Sequence, residues 1–129
     1  MPKSIYFVNV VLNVAVRHIA YSSPTTVYVA LYNNPTPSPT TSGAEVGGGG
    51  YARQPVTFTT PLNGGVSNNV AITFPVATDN NWGKVEAFGI LDEPTAGHLL
   101  YYGSLSQERI MQQNDQLIFP IGQLTFVES

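Results

Sequence analysis

Few residues in this chain are of the types that do chemistry, and the first set to test is a histidine, a serine and an acid. His98, Ser104 and Asp92 could form a hydrolase triad, in which the histidine takes the proton of an attacking serine. The run GSLS at 103–106 lacks the glycine after the serine that the tight turn of a nucleophile elbow needs. We therefore interpret His98 as a hairpin-tip residue and Ser104 as the end of a strand.

The acidic residues suggest two other kinds of site, a metal centre and a carboxylate pair. The DNN run at 79–81 carries oxygen ligands, but calcium needs six or more of them, so an Asx turn is the better interpretation. Asp92 and Glu93 could act as a glycosidase pair, but neighbouring residues in a strand point to opposite faces and a proline follows. The chain has no cysteine to supply a thiolate. The sequence therefore predicts no enzyme, no metal and no cofactor.

A run of four glycines could cradle a phosphate, and it consists of Gly47, Gly48, Gly49 and Gly50. The run lacks the Gly-Lys-Ser/Thr ending of a phosphate loop. It also leads through Tyr51 and Arg53 into a predicted strand instead of a helix. We interpret the run as a hinge at which the backbone must approach something closely, because glycine has no side chain to prevent the approach.

The overall composition excludes several classes of partner. Five Lys and Arg residues against eight Asp and Glu residues give a net charge of −3, too little positive charge to neutralise a nucleic-acid backbone. Only 10% of residues are charged, so copies of the chain repel one another weakly and self-association is plausible. The longest apolar stretch, at 5–20, is interrupted by Asn9 and Arg17 and is shorter than the ~20 residues of a membrane span. We expect a soluble, unprocessed chain with no nucleic-acid and no membrane partner.

The elements that must position these residues begin with one helix, predicted at 4–20. Its apolar residues recur at helical spacing, and they are Val8, Val11, Leu12, Ala15, Val16 and Ile19. Asn9, Asn13 and Arg17 form a polar ridge, each four residues from the next. Ser4 can cap the first turn. The β-branched residues also fit a strand buried on both faces, but the length without Gly or Pro favours the helix.

The rest of the chain predicts a mainly β fold. The segment at 25–32 alternates two fairly apolar faces, which is typical of a central strand. Six more strands are predicted at 53–60, 70–77, 84–91, 98–104, 115–120 and 122–127. Turn residues separate them, with a hairpin loop at 92–98. This spacing indicates a single antiparallel β-sandwich or barrel-like domain over 1–129, with an N-terminal helical segment at 1–22.

A long loop is predicted at 33–50, between the first strand and the others. It contains Pro35, Pro37 and Pro39, a run of Thr and Ser residues, and the glycines described above. A stretch of this length without secondary structure in a compact domain is usually functional or disordered. We expect a flexible Pro/Gly-rich arm that is available for contacts.

Tyrosine is the commonest aromatic residue, with seven copies against six Phe and one Trp. Exposed Tyr side chains or Trp82 on a β scaffold can stack on sugar rings, as in a carbohydrate-binding module. The strand tyrosines equally suit a core or a subunit contact, because Tyr buries area and keeps a polar tip. These strand tyrosines are Tyr28, Tyr32, Tyr101 and Tyr102. The sequence leaves both interpretations open.

An ordered set of motifs resembles a known family. The motifs are AYSSPTTVYVALY at 20–32, EVGGGGYARQPVTF at 45–58, SNN at 67–69, ITFP at 72–75, WG at 82–83, GI at 89–90 and LLYYG at 99–103. Over nearly its whole length the chain resembles the small tailed-bacteriophage virion structural proteins that are often labelled "phage tail fibre protein". It departs from the family pattern by an extra glycine, a more proline-rich loop and a valine-rich N-terminal segment.

The resemblance implies a non-enzymatic virion structural protein, made in the host bacterial cytoplasm and carried on the particle surface. A fibre needs a coiled-coil shaft or a repetitive stalk, and this chain has neither. We therefore expect a capsid decoration or cement protein on the outside of the head, bound to the major capsid protein as a homo-oligomer, with a trimer as one form. The alternatives are a small tail fibre or tail-tip component, or a carbohydrate-binding module for host attachment.

Contacts with these partners are expected from two arms of the predicted fold, residues 1–20 and the loop at 33–50. Tyr51 and Arg53, where the glycines end, are included, although Arg53 equally suits an edge strand that discourages aggregation. The expected contact residues are Tyr6, Asn9, Asn13, Arg17, Pro35, Pro37, Pro39, Gly47, Gly48, Gly49, Gly50, Tyr51 and Arg53.

Overall fold

The computed structural model describes residues 2–128, and it is mainly β with one N-terminal helix and antiparallel sheets. This confirms the predicted fold class. The elements within residues 2–128 are α1 (Ile5–Arg17), β1 (Val27–Asn33), β2 (Ala44–Glu45), β3 (Gln54–Val56), β4 (Gly65–Ser67), β5 (Ile72–Thr73), β6 (Gly83–Leu91), β7 (Leu99–Met111), β8 (Ile118–Phe119) and β9 (Thr125–Val127). No helix in that part of the chain is long and apolar enough to cross a bilayer.

The main sheet has β1 and β6 at its centre. Its strand order is β2-β1-β6-β7, and β3 also pairs with β1. All of these pairs are antiparallel, with Leu31 opposite Phe88 between β1 and β6, and Gly89 opposite Tyr102 between β6 and β7. Two small ladders, β4–β9 and β5–β8, lie outside this sheet. Ile72 of β5 joins the same hydrophobic cluster as Leu31, so this region covers one face of the main sheet.

Strand β1 is buried on both faces, as its sequence predicts. Val29 and Leu31 lie in the larger hydrophobic cluster, together with the fully buried Trp82. Ala30 and Tyr32 point the other way and lie in a second, smaller cluster. Because side chains alternate along a strand, two apolar faces require cover on both sides of the sheet. The prediction of a central strand is confirmed.

Helix α1 begins at the predicted place and ends before residue 20. The Ser4 side-chain oxygen accepts a hydrogen bond from the Phe7 backbone N–H at 3.2 Å and caps the first turn. His18 takes the left-handed conformation, with φ 58°, and the Ile19 N–H donates to the Asn13 carbonyl at 2.9 Å, which stops the helix. The alternative of a strand buried on both faces is wrong, because the segment is helical and none of its residues is buried.

Strand β7 is the largest difference from the predicted strands. The prediction at 98–104 stops at a bulge, and the strand continues to Met111, which pairs with Gly83. Val85 pairs with Arg109 but Ala87 pairs with Ser104, so the residues between them on β7 have no strand-pairing partners on β6. Leu105 packs against the core, but Ser106, Gln107 and Glu108 are polar and exposed. The stretch therefore lacks the alternation of apolar residues that reveals a half-buried strand.

The other late strands are shorter than predicted. Strands β3, β5, β8 and β9 each keep only two or three residues of the segments predicted for them. Strand β4 lies beside a predicted turn and was not among the predicted strands, and it pairs with β9 through Val66 and Phe126. An isolated bridge also joins Phe58 to Asn68, outside these ladders. Short pairings of this kind depend on distant segments, so local patterns show their location but not their length.

A buried asparagine holds the second region together. Asn68 is fully buried, and its side-chain amide donates to the carbonyls of Val70 at 2.7 Å and Pro120 at 3.1 Å. Its side-chain oxygen accepts from the Leu124 backbone N–H at 2.9 Å. One side chain thus satisfies backbone groups from two distant segments, which explains how a polar residue fits inside.

The predicted loop at 33–50 follows a specific hydrogen-bonded path. It contains β2, and the Ala44 N–H donates to the Pro35 carbonyl at 2.8 Å. Val46 is buried, and its N–H donates to the Leu31 carbonyl at 2.9 Å. The segment is therefore attached to the edge of β1 at several points. The flexibility of this loop and the assignment of 1–129 to one domain remain predictions.

Candidate interaction surfaces

Tyr51 and Arg53 both bind the carboxylate of Glu45. The Tyr51 hydroxyl donates to Glu45 Oε2 at 2.6 Å, and Arg53 donates from Nε to Oε2 at 2.9 Å and from Nη2 to Oε1 at 2.8 Å. Burial alone would raise the pKa of Glu45, but these hydrogen bonds and the Arg53 charge lower the pKa below its ordinary value. Burial raises the pKa of Tyr51, and its bond to Glu45 adds to this. The cluster is therefore a carboxylate held ionised by its neighbours.

Arg53 also reaches the hairpin between β6 and β7. Its Nη1 donates to the Glu93 carbonyl at 2.9 Å and to the Ala96 carbonyl at 2.8 Å. The Leu31 backbone N–H donates to the Tyr51 hydroxyl at 3.0 Å. Because these polar groups are satisfied within the chain, Tyr51 and Arg53 join the loop to the sheet. That they also contact a partner stays a prediction.

The glycine run packs against Trp82 and Asp79. A Cβ on Gly48 would lie 2.6 Å from the Trp82 backbone nitrogen, which is closer than real side chains approach. The Gly49 N–H donates to both carboxylate oxygens of Asp79 at 3.0 Å, and the Trp82 indole N–H donates to the Gly49 carbonyl at 2.7 Å. The backbone of this run thus lies very close to other residues, and these residues belong to the same chain. Gly47 has open space where its side chain would be.

The expected contact residues of the helix divide between the body and the solvent. The Tyr6 ring stacks on His98 with ring centres 3.9 Å apart. Arg17 is exposed, and its Nη1 donates to Asn13 Oδ1 at 3.1 Å. Asn9 is exposed as well. Tyr6 therefore attaches α1 to the hairpin tip, whereas Asn9 and Arg17 of the polar ridge are open to a partner.

The prolines lie beside the start of α1. Pro37 is buried, whereas Pro35 and Pro39 are exposed. The Pro39 carbonyl accepts from the Ile5 backbone N–H at 2.8 Å, so the loop and the helix meet. The expected contact residues thus do not form one patch, because Tyr51, Arg53 and the inner glycines face the interior. Their role as an interface remains a prediction.

The three residues of the possible triad are not assembled. Asp92 accepts from the His98 backbone N–H at 2.7 Å, and its other oxygen lies 3.2 Å from the His98 ring Nδ1. Ser104 pairs with Ala87 on β6 instead, and no hydrogen bond in residues 2–128 joins Ser104 to His98. Within the same residues no three His, Cys, Asp or Glu side chains are grouped as a metal site would need. The described part of the chain therefore offers no reaction centre of these kinds.

A groove lies between β7 and the segment at 117–125. Its volume is about 270 Å³. It combines apolar side chains such as Phe88 and Leu124 with polar ones such as Gln107 and Gln123. Its single charged lining residue is Arg109, without an acid or a histidine beside it in the lining. The groove can hold a polar chain by contact, but it has no acid–base pair.

The expected aromatic platform for sugars is not formed by Trp82. Trp82 is fully buried, and its ring packs edge-on against Tyr51. Tyr32 is buried, and Tyr101 packs against Phe7. These rings serve the core and the contact with α1, because their apolar area is covered within the chain. Stacking of sugar rings on Trp82 is therefore wrong for this fold.

The exposed apolar surface of α1 lies within the expected contact segment 1–20, but its residues are not among the contact residues predicted by name. Ile5, Leu12 and Val16 are 49%, 51% and 67% exposed, and none of the thirteen residues in α1 is buried. The sequence interpretation chose the polar ridge for contacts and left these residues aside. The sequence contained a signal for this surface, because apolar residues occur on all sides of the helix and Arg17 is its only charged residue. A helix of this composition is normally buried.

The comparison with family models decides the class of this chain. A model described as "Podophage GP4 fiber I protein gp80" matches residues 2–127. The chain belongs to this family. It is a component of the phage tail fibre, a structural part of the virion and not an enzyme. Among curated proteins no match was found.

Membership of the gp80 family corrects one expectation and confirms others. The resemblance to phage tail fibre proteins and the absence of an enzymatic role are confirmed. The capsid decoration or cement role is wrong, and with it the reason for expecting the major capsid protein as partner. That expectation assumed that a fibre protein must itself be long. A fibre can be built from several different chains, so a short compact chain is compatible with it.

Proposed function

We propose that this chain is a compact building block of the tail fibre that acts only by contact. It joins other copies of itself as a homo-oligomer, for which a trimer is one form, and it joins neighbouring virion proteins. Membership of the gp80 family supports the fibre location. The rest of the proposal concerns how the block is held in place.

The observation that carries the proposal is that α1 is rich in apolar residues and yet none of them is buried. A chain with 10% charged residues keeps α1 outside its own core. Burying a fully exposed Leu or Val contributes about 1.5–3 kcal/mol. Association costs roughly 4–15 kcal/mol in lost motion, so several such side chains must be buried together. A helix that presents several of them on one surface meets this condition.

The rest of the molecule is suited to act as a rigid building block. Strands β1 and β6 are covered on both faces, and Arg53 joins the loop, the sheet and the hairpin. A block of this kind loses little internal freedom when it docks, so most of the contact energy remains available for assembly. Repetition of one modest contact around a closed ring then adds further stability.

Gold-labelled antibody against the folded chain tests the location on intact particles. We expect label on the tail, and we expect peptides of the chain in purified tails by mass spectrometry. Particles made without the gene for this chain are the control for antibody specificity. Label on the head, or mature particles without the chain, would contradict the proposed function.

A further inference from the structure

We propose that the exposed apolar stripe of α1 binds the same stripe on a second copy of this chain, helix against helix. The stripe consists of the exposed Ile5, Leu12, Ala15 and Val16, together with the half-buried Val8 between them. This inference rests on the proposed fibre role, because it names the surface through which the copies meet.

The stripe has the spacing of a helix–helix seam. Successive members at 5, 8, 12 and 15 are three, four and three residues apart, the pattern that keeps side chains on one line of a supercoiling helix. Ile5 and Leu12 are about half exposed, and Val16 is two-thirds exposed. Ala15 is small and exposed, which lets a second helix approach closely. A seam of this kind fits its own copy, because knobs on one helix match holes on the other.

The later part of the stripe faces away from the rest of the molecule, whereas Ile5, at its start, lies beside Pro39 of the loop. Phe7 packs on Tyr101 of β7 with ring centres 5.3 Å apart, and Tyr6 stacks on His98. At 3.6 residues per turn, Phe7 lies about 200° around the axis from Ile5. Tyr6 lies about 100° around the axis from Ile5. The aromatic contacts that hold α1 to its own body therefore lie to the side of the stripe or opposite it, and a second copy can reach Leu12, Ala15 and Val16 without displacing them.

The base of α1 is held in place before any partner arrives. The Ser4 N–H donates to the Leu100 carbonyl at 2.9 Å, and the Tyr102 N–H donates to the Pro2 carbonyl at 3.2 Å. Lys3 pairs with Tyr101 as an extra strand residue beside β7. The stripe is therefore presented in one orientation, and less ordering is needed when a second copy binds.

The charge of α1 favours a copy over a charged partner. The helix has no acidic residue, and Arg17 is its single charged one. Arg17 is hydrogen-bonded to Asn13 and lies about 140° around the axis from Leu12. A partner with an acidic groove would find no cation on the stripe. Two identical stripes meet without like charges at the seam, so burial of apolar area is not opposed there.

Single cysteines test the contact, because the chain has none of its own. We expect Leu12→Cys to form a disulfide-linked dimer under mild oxidation at least ten times faster than Val14→Cys. Val14 is a matched control, since it is also about half exposed on α1 but lies about 200° around the axis from Leu12. Equal rates for the two variants would overturn the inference.

Aspartate variants provide the second measurement. We expect Leu12→Asp to raise the dissociation constant of the oligomer at least tenfold by light scattering, while Ile121→Asp leaves it unchanged. Ile121 is 65% exposed and lies outside α1. The fluorescence of the buried Trp82 reports whether each variant keeps its fold. A monomeric wild-type chain, or an oligomer unaffected by Leu12→Asp, would overturn the inference.

Particles that carry Leu12→Cys separate this inference from the proposed function. If gold label places the chain in the tail but no crosslinked dimer forms there, α1 contacts a different virion protein. The inference then fails and the fibre role stands. If the dimer forms in solution and the mature particle lacks the chain, the contact stands and the proposed function fails.

Discussion

At the scale of single residues, the carboxylate of Glu45 does the most to connect the loop to the sheet. It accepts hydrogen bonds from Tyr51 and Arg53, and Arg53 continues to the hairpin carbonyls. Because the fold lowers the pKa of Glu45 below 4.5, the ionised carboxylate stabilises the fold fully above that value. This stability is lost as the pH falls from there through the lower folded-state pKa.

Glu45→Gln is expected to reduce the free energy of unfolding by about 2 kcal/mol at neutral pH, because it removes charge-assisted hydrogen bonds. The difference from wild type should shrink in acid, where wild type also loses the charge. Urea titrations across the pH range measure both effects. Glu108→Gln is the control, since its ion pair with Lys84 is half exposed and screened by water and should contribute little to stability. A difference independent of pH would contradict the assignment.

Gly48→Ala is expected to destabilise the chain by about 1–3 kcal/mol through overpacking. Its Cβ would lie 2.6 Å from the Trp82 nitrogen and 2.8 Å from the Asn81 carbonyl carbon, and backbone atoms cannot move aside easily. Gly47→Ala is the control, because nothing lies within 4 Å of that Cβ, and it should be neutral or more stable by up to ~1 kcal/mol. Thermal unfolding of both variants checks this. Equal effects would mean that the close approach to Trp82 is unimportant.

At the scale of elements, α1 is joined to the sheet through few contacts. Residues 2–4 lie beside β7, and Phe7 packs on Tyr101 and Tyr21. Strands β1 and β6 are buried on both faces and depend on none of these contacts. Local opening of α1 should therefore cost less free energy than opening of the sheet, since local openings follow the density of buried contacts.

Phe7→Ala is expected to speed hydrogen exchange in α1 roughly tenfold or more and to leave β6 unchanged. The lost ring contact with Tyr101 is the physical reason. Mass spectrometry of peptides from a dilute, monomeric sample measures the exchange. Val14→Ala serves as control, because it shortens an exposed side chain on the same helix. Equal acceleration in α1 and β6 would show that the helix and sheet open as one unit.

The elements also differ in how far local sequence predicts them. Strand β1 was predicted well, because two apolar faces within one short segment leave few alternatives. Strand β7 was cut short at its bulge, where exposed polar residues hide the pairing with β6. Helix α1 was located correctly, but its exposed side was not, because periodicity shows a stripe without showing what covers it.

At the scale of the whole molecule, the two sides of α1 have different tasks. One side holds the helix to its own body through Tyr6 and Phe7, and the other carries the apolar stripe from Ile5 to Val16. A net charge of −3 gives little long-range repulsion between copies. Shape and apolar area therefore control assembly, which fits a fibre component that acts without catalysis.

The amino-acid sequence alone was enough to predict the fold class, the central strand, the position of the helix and the resemblance to phage fibre proteins. These properties follow from local periodicity and from ordered motifs, and both signals can be recognised within single segments of the sequence. Only the tertiary structure decided that Tyr51, Arg53 and Gly48 face the interior and that the apolar side of α1 faces out. Which side of an element is covered depends on residues far away in the chain, such as Trp82 for the glycines and Tyr101 for the helix. Long-range packing therefore decides which surfaces remain for partners.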